Sequence, residues 1–556
     1  MISNTEIENA LELCGKLMEL HGENTFKSKS YHNAAFQISK VGTALQDMTD
    51  AEINNIPGIG QSMIDKIHSL LKTGTLPVLT ELLHKTPEGV IQLMHIKGLG
   101  PKKVATIWKE LGIESIGELE YACRENRLTL LKGFGAKTQK SVLDNIEFIK
   151  LSAGKVHYAV IEKDALEFEA HLKSIFPKNQ TGITGSFRRR DIIIDRLDYI
   201  TDVPIQTAIE RLYTSFACEK INDTLIQVSG LMIPTFLTCC SPSTFIATLF
   251  QTTGSPEFIQ QFDSIDYSKQ YPDEAEIFQT AGIRFLIPEM RNGTNELQWL
   301  KNYANDKPID TPDIKGIIHA HSTWSDGIHS IEEMALYCMQ SGWEYLIISD
   351  HSASAFYAQG LKTDRVIAQH KEIDALNHKL APFKIFKSIE SDILIDGSLD
   401  YPDEILERFD CIIASVHSTL NMDLDKATNR LLRAIENPFT TILGHPTGRL
   451  LLSRSGYPID TKKIIDACAR NKVVIELNAN PWRLDIDWSW IYEAMDRGVQ
   501  IAINPDAHSV AGIHDIHYGT LAARKGGLIK KFLFNNLNVN EMTAYLEKRK
   551  SAIFKK

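Results

Sequence analysis

Residues 317–327 read IIHAHSTWSDG: an apolar run ends in His319 and His321 and passes into a polar turn holding Asp326 and Gly327. In an extended strand, side chains two apart share a face. The two imidazoles are therefore expected on one side of a strand end, with Asp326 in reach, able to grip one metal ion. A lone His-x-His is weak by itself. Its weight comes from what surrounds it.

From Ile314 onward, short apolar runs alternate with amphipathic helical stretches. The runs are 316–320, 345–349, 383–389, 411–416, 440–444, 473–477 and 499–504, with helices such as 331–341, 364–380, 428–436 and 487–497 between them. This alternation predicts parallel strands joined by helices and closed into a barrel. Metal-capable side chains follow nearly every run. They are His319, His321 and Asp326; Asp350 and His351; Glu390 and Asp392; His417; His445; and Asp506 and His508, while the sixth run carries Asn478 and Asn480. Strand ends of such a barrel meet at one mouth, so a multinuclear metal site is expected there. Mixed imidazole and carboxylate donors suit zinc, manganese or iron. Clustered ions can acidify a water and clamp a phosphate, so the expected chemistry is phosphoester hydrolysis by metal-bound hydroxide. Arg449, four residues after His445, is expected to pair with the substrate phosphate.

The pieces HAHSTWSDG, ISDHS, SVHS, GHPTGRLL, ELNANPWRLD and PDAHS resemble the PHP (polymerase and histidinol phosphatase) family. That resemblance implies up to three ions, usually manganese or zinc, held by His319, His321, Asp326, His351, Glu390, His417, His445, Asp506 and His508.

Upstream, residues 183–190 read ITGSFRRR and lead into a strand-like stretch. Gly185-Ser186-Phe-Arg-Arg189 resembles the nucleotide-binding signature of family X DNA polymerases, in which Gly185, Ser186 and Arg189 would hold triphosphate oxygens. The family's metal-binding acids should fall eleven and thirteen residues after that glycine. Arg196 and Asp198 stand there, and the third acid aligns near Phe236. Two-metal transfer needs carboxylates. The nucleotide site is therefore expected to be vestigial and its Mg2+ doubtful, unless Asp191 or Asp195 substitutes by a register slip.

Residues 1–150 are helical in pattern, with three turns of one form: Ile56-Pro-Gly58-Ile-Gly60, Ile96-Lys-Gly98-Leu-Gly100 and Leu131-Lys-Gly133-Phe-Gly135. Each leads into a helix bearing lysines, among them Lys102 and Lys137. Tight glycine turns that expose backbone N–H groups at a helix start suit phosphate, and the turns resemble helix-hairpin-helix motifs that bind DNA independently of sequence. Residues 24–36 resemble the opening of a family X lyase domain. Lys66, six residues after Gly60, stands where that family can form a Schiff base.

The whole resembles bacterial family X DNA polymerases, the PolX family. The expected fold is multidomain: an all-α helix-hairpin-helix region (1–85 lyase-like, 86–150 further hairpins), an α+β nucleotidyltransferase-like palm and thumb (151–305), a linker (306–313) and an α/β distorted (β/α)7 PHP barrel (314–556). The resemblance implies a DNA-repair 3′–5′ exonuclease acting on gapped or nicked DNA. Three other readings stand beside it: an active repair polymerase with proofreading, a phosphatase of the histidinol-phosphate type, and a non-catalytic DNA-binding factor. Composition agrees with an ordinary globular chain, at 43% hydrophobic and 23% charged. A net charge of −10 disfavours a general DNA coater. Eight scattered cysteines without a CxxC, no signal peptide and no long apolar run point to a cytoplasmic protein off the membrane.

Overall fold

A computed structural model describes residues 2–124, 127–152 and 154–553. The first and last residues of the expected domains, Met1 and 554–556, lie outside them. The chain divides into two units, Met1–Ala153 and Gly154–Lys556.

The first unit is helical throughout its described residues. Its three glycine turns share one geometry. Gly58, Gly98 and Gly133 have φ of 80°, 87° and 89°, a left-handed conformation that a Cβ disfavours. The apolar residue after each is buried, and its N–H donates back across the turn: Ile59 to Ile56 (3.1 Å), Leu99 to Ile96 (3.0 Å) and Phe134 to Leu131 (3.1 Å). The buried side chain pins the turn and the glycine lets it close. Gly60 and Gly100 then cap helices Gln61–Thr73 and Pro101–Leu111 without any side-chain hydrogen bond. Each helix start thus keeps backbone N–H groups free of a side-chain cap.

The second unit opens with a five-stranded mixed sheet. Its strands, in spatial order, are Thr181–Thr184, Leu197–Thr201, Thr235–Cys239, Leu225–Ser229 and Ala217–Lys220. Helix Tyr158–Ile175 packs on it through Ile161, Ala165, Phe168 and Leu172. Helices between Pro256 and Asn302 follow, then the barrel.

The barrel has seven parallel strands in sequential order: β1 (Gly316–Ala320), β2 (Tyr345–Ile348), β3 (Lys384–Asp392), β4 (Cys411–Ser415), β5 (Ile442–Leu443), β6 (Val474–Asn478) and β7 (Ile501–Asn504). Alternation along each strand sorts the residues. Ile318, Ile347, Phe386, Ile413, Ile442, Val474 and Ala502 pack together inside the barrel with Phe534, Met542 and Leu546, the last two on the C-terminal helix Val539–Ile553. Their neighbours Ile317, Leu346, Ile385, Ile412, Leu443, Ile475 and Ile501 face the surrounding helices. The inward parity carries on toward the strand ends and turns polar: Ile413 is followed by Ser415 and His417, Phe386 by Ser388 and Glu390, Val474 by Glu476, and Ala502 by Asn504 and Asp506. One end of the barrel is thus plugged with hydrocarbon and the other lined with imidazoles, carboxylates and other polar side chains.

Among the described residues, the flanks of β1 and β7 are joined by backbone hydrogen bonds only at this polar end. His321 N donates to Ala507 O (2.8 Å), and Ala507 N to His319 O (3.3 Å). Lys525, buried on helix Ile516–Lys525, ties the barrel to the preceding sheet. Its ammonium lies 2.5 Å from Asp191 Oδ1 and 2.5 Å from Asn292 Oδ1, over the Trp488 ring. No described helix is long and apolar enough to cross a membrane.

Candidate metal centre

The expected strand alternation at His319 and His321 is corrected by the structure. The β1–β2 register shifts between Ile318 and Ala320, and His319 has φ of 65°. This bulge re-aims one side chain, and both rings still reach the same carboxylates. His445 (φ 21°) and Asp506 (φ 52°) are also left-handed. Three of the expected ligands thus sit in a conformation that non-glycine residues avoid, a pattern that concentrates at functional sites.

Glu390 is the hub. Its Oε1 lies 3.0 Å from His445 Nε2, 3.1 Å from His417 Nε2 and 3.4 Å from His319 Nε2; its Oε2 lies 3.0 Å from His351 Nδ1 and 3.6 Å from His321 Nε2. Asp506 Oδ1 stands 3.0 Å from His321 Nε2 and 3.4 Å from His319 Nε2. Asp326, at the rim, approaches His508 (3.4 Å), His351 (3.6 Å) and His321 (3.8 Å). Three overlapping donor groups result: His321, Asp326, His351 and His508; His319, His321, Glu390 and Asp506; and His351, Glu390 and His417. His445 joins through Glu390. All nine expected ligands are therefore brought together, and all such groups among the described residues lie here.

The donor set fits ions. His319 Nε2 and His321 Nδ1 are buried without a hydrogen-bond partner, a costly arrangement unless something else satisfies them. In the metal-free protein the charges lean on one another. Burial disfavours a charged His319 ring, but Glu476, Asp506 and Glu390 outweigh it and raise its pKa well above the ordinary value. Burial likewise opposes charge on His417, yet Glu390 and Asp392 push it up to about 9. Burial together with His508 and His351 drives His321 down to about 3. Burial would raise the carboxyls of Glu390 and Asp506, but the surrounding imidazoles hold both well below the usual range.

A shell of carboxylates fixes these donors. Glu476, fully buried on β6, accepts from His319 Nδ1 (2.7 Å), Asn504 Nδ2 (2.8 Å), Asn478 Nδ2 (3.1 Å) and His445 N (3.1 Å). Sequence reasoning missed it, noting only Asn478 and Asn480 on this run; the signal was an acid at an inward position of the run VVIELN. Asp392 Oδ1 holds His417 Nδ1 at 2.5 Å. Asp350 does not join the donor groups. It accepts from Ser322 N and Oγ, from Ser325 N and Oγ and from Gln369 Nε2, at 2.5–3.2 Å, which sets the turn presenting Asp326. Gly327 closes that turn, and a Cβ there would come within 2.6 Å of the His321 carbonyl.

Arg449 has a role beyond the expected pairing with phosphate. Its Nε donates to Arg483 O (2.9 Å), and its terminal nitrogens to Asp487 Oδ2 (2.7 Å) and Leu484 O. Three of its five N–H donors, one on each nitrogen, hold the loop after β6, so the side chain acts first as a tie for that loop. The guanidinium beside the centre belongs to Arg483, whose Nε lies 3.9 Å from Asp506 Oδ2.

In the preceding sheet, the positions of the expected polymerase acids do come together, without a metal site. Asp198 pairs in register with Phe236 on the adjacent parallel strand. The Arg196 guanidinium lies 4.1 Å from the Phe236 ring centroid and donates through Nε to both Asp198 oxygens (2.9 and 3.1 Å). A cation held by an ion pair and a π face stands where ions would have to bind, so Mg2+ does not fit. The register leaves no slip for a substitute, and Asp191 is bound to Arg189 and Lys525. Gly185 (φ 67°) packs so closely on Asp198 that a Cβ would come within 2.6 Å of its oxygen, and Ser186 Oγ has no partner. Arg189, expected to contact triphosphate, instead donates to Thr253 O (2.8 Å) and Asp191 (2.8 Å).

In the first unit, Lys102 and Lys137 are exposed beside Gly100 and Gly135. Lys66 Nζ donates to Ser62 O (2.6 Å) and Oγ (2.8 Å) of its own helix.

Comparison with known proteins agrees with this division. A family model described as helix-hairpin-helix domain matches residues 2–76, and one described as SAM-like helix-hairpin-helix tandem matches 90–147. The DNA polymerase/3′-5′ exonuclease PolX of Bacillus subtilis (strain 168) is 33% identical across 98% of this chain and 99% of its own length. A probable phosphatase of Thermoanaerobacter sp. (strain X514) is 26% identical over 42% of this chain and 95% of its own length. A probable phosphatase of Caldanaerobacter subterraneus subsp. tengcongensis is 24% identical over 42% of this chain and 92% of its own.

Proposed function

The chain belongs to the bacterial PolX family, and from that premise we propose that it is a DNA-repair phosphoesterase whose barrel removes nucleotides from DNA 3′ ends. The observation that carries this reading is the convergence of nine imidazole and carboxylate side chains at one end of the barrel, five of the imidazoles on Glu390, with buried ring nitrogens of His319 and His321 left without a hydrogen-bond partner. In this reading residues 1–85 and 86–150 hold the DNA backbone through the N–H groups and lysines of the hairpins: Gly58, Gly60, Gly98, Gly100, Lys102, Gly133, Gly135 and Lys137. Residues 151–305 form a palm and thumb that hold gapped or nicked DNA, 306–313 link, and 314–556 hydrolyse.

His319, His321, Asp326, His351, Glu390, His417, His445, Asp506 and His508 would hold up to three manganese or zinc ions. Once bound, those ions would supply Lewis acidity to the phosphodiester and would acidify the attacking water. The chain's own groups supply the rest. Glu476 keeps the His319 proton on Nδ1, and Asp392 does the same for His417, so each Nε2 faces inward as a lone pair. Arg483 stands where a phosphate oxygen beside Asp506 would meet a guanidinium. Asp350 sets the rim turn and with it Asp326. One water is consumed: its oxygen forms the new bond to phosphorus, the bond to the 3′ oxygen breaks, and a proton passes to that leaving oxygen. The product is a nucleoside 5′-monophosphate.

The test combines metal analysis of the purified full chain with digestion of DNA labelled at either end. Stepwise shortening from the 3′ end, lost on His319→Ala, is expected. Turnover of small phosphomonoesters with no cleavage of any DNA would transfer the protein to the phosphatases that its barrel also resembles.

A further inference from the structure

The barrel domain exposes very few large apolar side chains, and they are not scattered. Among its described residues Ile328, Met339, Phe356, Ile395, Leu424 and Trp482 are open to solvent. All but Met339 lie in the connections that follow a strand end, after β1, β2, β3, β4 and β6 in turn, Leu424 as the first residue of helix Leu424–Glu436. Together they flank the mouth in which the nine ligands converge. Phe356 is 83% exposed, Ile395 74% and Trp482 48%. Ile328 N donates to His508 O at 2.9 Å, and the loop bearing Phe356 is closed by Leu361 N on His351 O at 2.8 Å, so these tips are anchored on ligand residues.

Trp482 is the best defined of them. Its carbonyl accepts from Leu451 N (2.7 Å), and its ring is braced edge-on by His157, with centroids 4.1 Å apart. Arg449 immobilises the next two carbonyls and Asp487. The following residue, Arg483, brings its guanidinium to 3.9 Å from Asp506. Two consecutive, rigidly held residues thus offer a flat aromatic surface and a cation beside the metal donors. A nucleotide presents the matching pair: a flat ring, and an anionic phosphate a few ångströms away. A phosphodiester flanked by flat bases is complementary to both. We infer that Trp482 is a nucleobase platform that, with Arg483 on the adjoining phosphate, seats the terminal nucleotide of the strand being shortened. This rests on the nuclease reading above and adds the residue that recognises the base.

Stacking on an aromatic side chain favours a bound base by about fivefold to a hundredfold. The experiment compares, on the metal-loaded full chain, cleavage of an oligonucleotide ending in thymidine with one whose last nucleoside is a three-carbon spacer. Wild type is expected to prefer the base-bearing end by that factor. Trp482→Ala should bring the ratio close to one, Trp482→Phe should keep most of it, and Met339→Ala, away from the mouth, should keep all of it. A wild-type ratio near one, or a ratio unmoved by Trp482→Ala, would overturn the platform while leaving the nuclease intact. A change of oligomeric state in Trp482→Ala, read by light scattering, would make this face a contact between copies instead. If wild type cleaves neither oligonucleotide, the nuclease reading itself falls.

Discussion

Replacing Glu476 by glutamine tests the centre without touching any of the nine donors. The carboxylate accepts four hydrogen bonds and makes none as a donor. An amide of the same shape has one oxygen to offer and two N–H groups that need acceptors. If its nitrogen turns to His319, the ring must take the other tautomer, with a proton on Nε2, the atom that faces Glu390 and Asp506. If its oxygen turns there instead, its nitrogen confronts the Asn478 amide and the His445 N–H. Either way a buried donor loses its partner, at about 1–3 kcal/mol. Losing such an outer carboxylate commonly weakens metal binding about 10- to 100-fold, or about 1.4–2.7 kcal/mol. The expected result for Glu476→Gln is a manganese affinity lower by that factor in competition with a chromophoric chelator. Nuclease activity should be recovered by excess metal. Glu476→Asp keeps the charge but shortens the reach, and should fall between. A binding curve for Glu476→Gln that overlays wild type, while His319→Ala shifts it, would refute the claim that Glu476 sets the His319 tautomer.

Other outcomes follow from the same geometry. Since His417 is held up at about 9 without ions, it is protonated at pH 7 and must release that proton on ligation. Calorimetry in buffers of different ionisation enthalpy should show at least one proton released per centre filled, and affinity should rise with pH toward 9. His370, buried beside Phe409 and Lys387, is depressed to about 4, first by burial. The unfolded chain therefore binds a proton that the folded one refuses, and stability should fall by about 2–3 kcal/mol as pH drops from about 6.5 to about 4. Denaturation of His370→Leu should lack that part of the slope. Arg449→Met should leave metal content unchanged yet slow DNA cleavage by loosening the loop that carries Arg483, at a stability cost of about 2 kcal/mol. Primer extension on gapped DNA with Mg2+ or Mn2+ should be absent, because Arg196 stands between Asp198 and Phe236; robust extension abolished by Asp198→Ala would reverse that conclusion.

Much of this was legible in the sequence because parity and spacing are local. Seven apolar runs gave seven strands, and the side chains just past them gave the donors. What could not be read was set by contacts distant in sequence. The β1 bulge depends on the register with β2, so His319 departs from simple alternation. Arg449 looked free because the carbonyls and carboxylate that bind it lie 34–38 residues away. Glu476 was hidden inside an apolar run, where one acid among valines and leucines shows its purpose only when His319, 157 residues earlier, is seen against it. Arg196 read as a missing acid, and its stacking on Phe236 showed what had replaced the site.

The closure of the barrel has a further consequence. Every other neighbouring pair of strands is laced along a ladder, whereas β1 and β7 share two backbone hydrogen bonds, and both run through His319, His321 and Ala507. The residues that would grasp ions from either side of that seam, His319 and His321 on one flank and Asp506 and His508 on the other, are the same ones that shut it. An ion held there would work as a clasp on a hoop. A chelator should therefore act first as a mechanical agent, springing the ring at one point, and amide exchange should begin at residues 319–321 and 506–508 before it reaches any other strand.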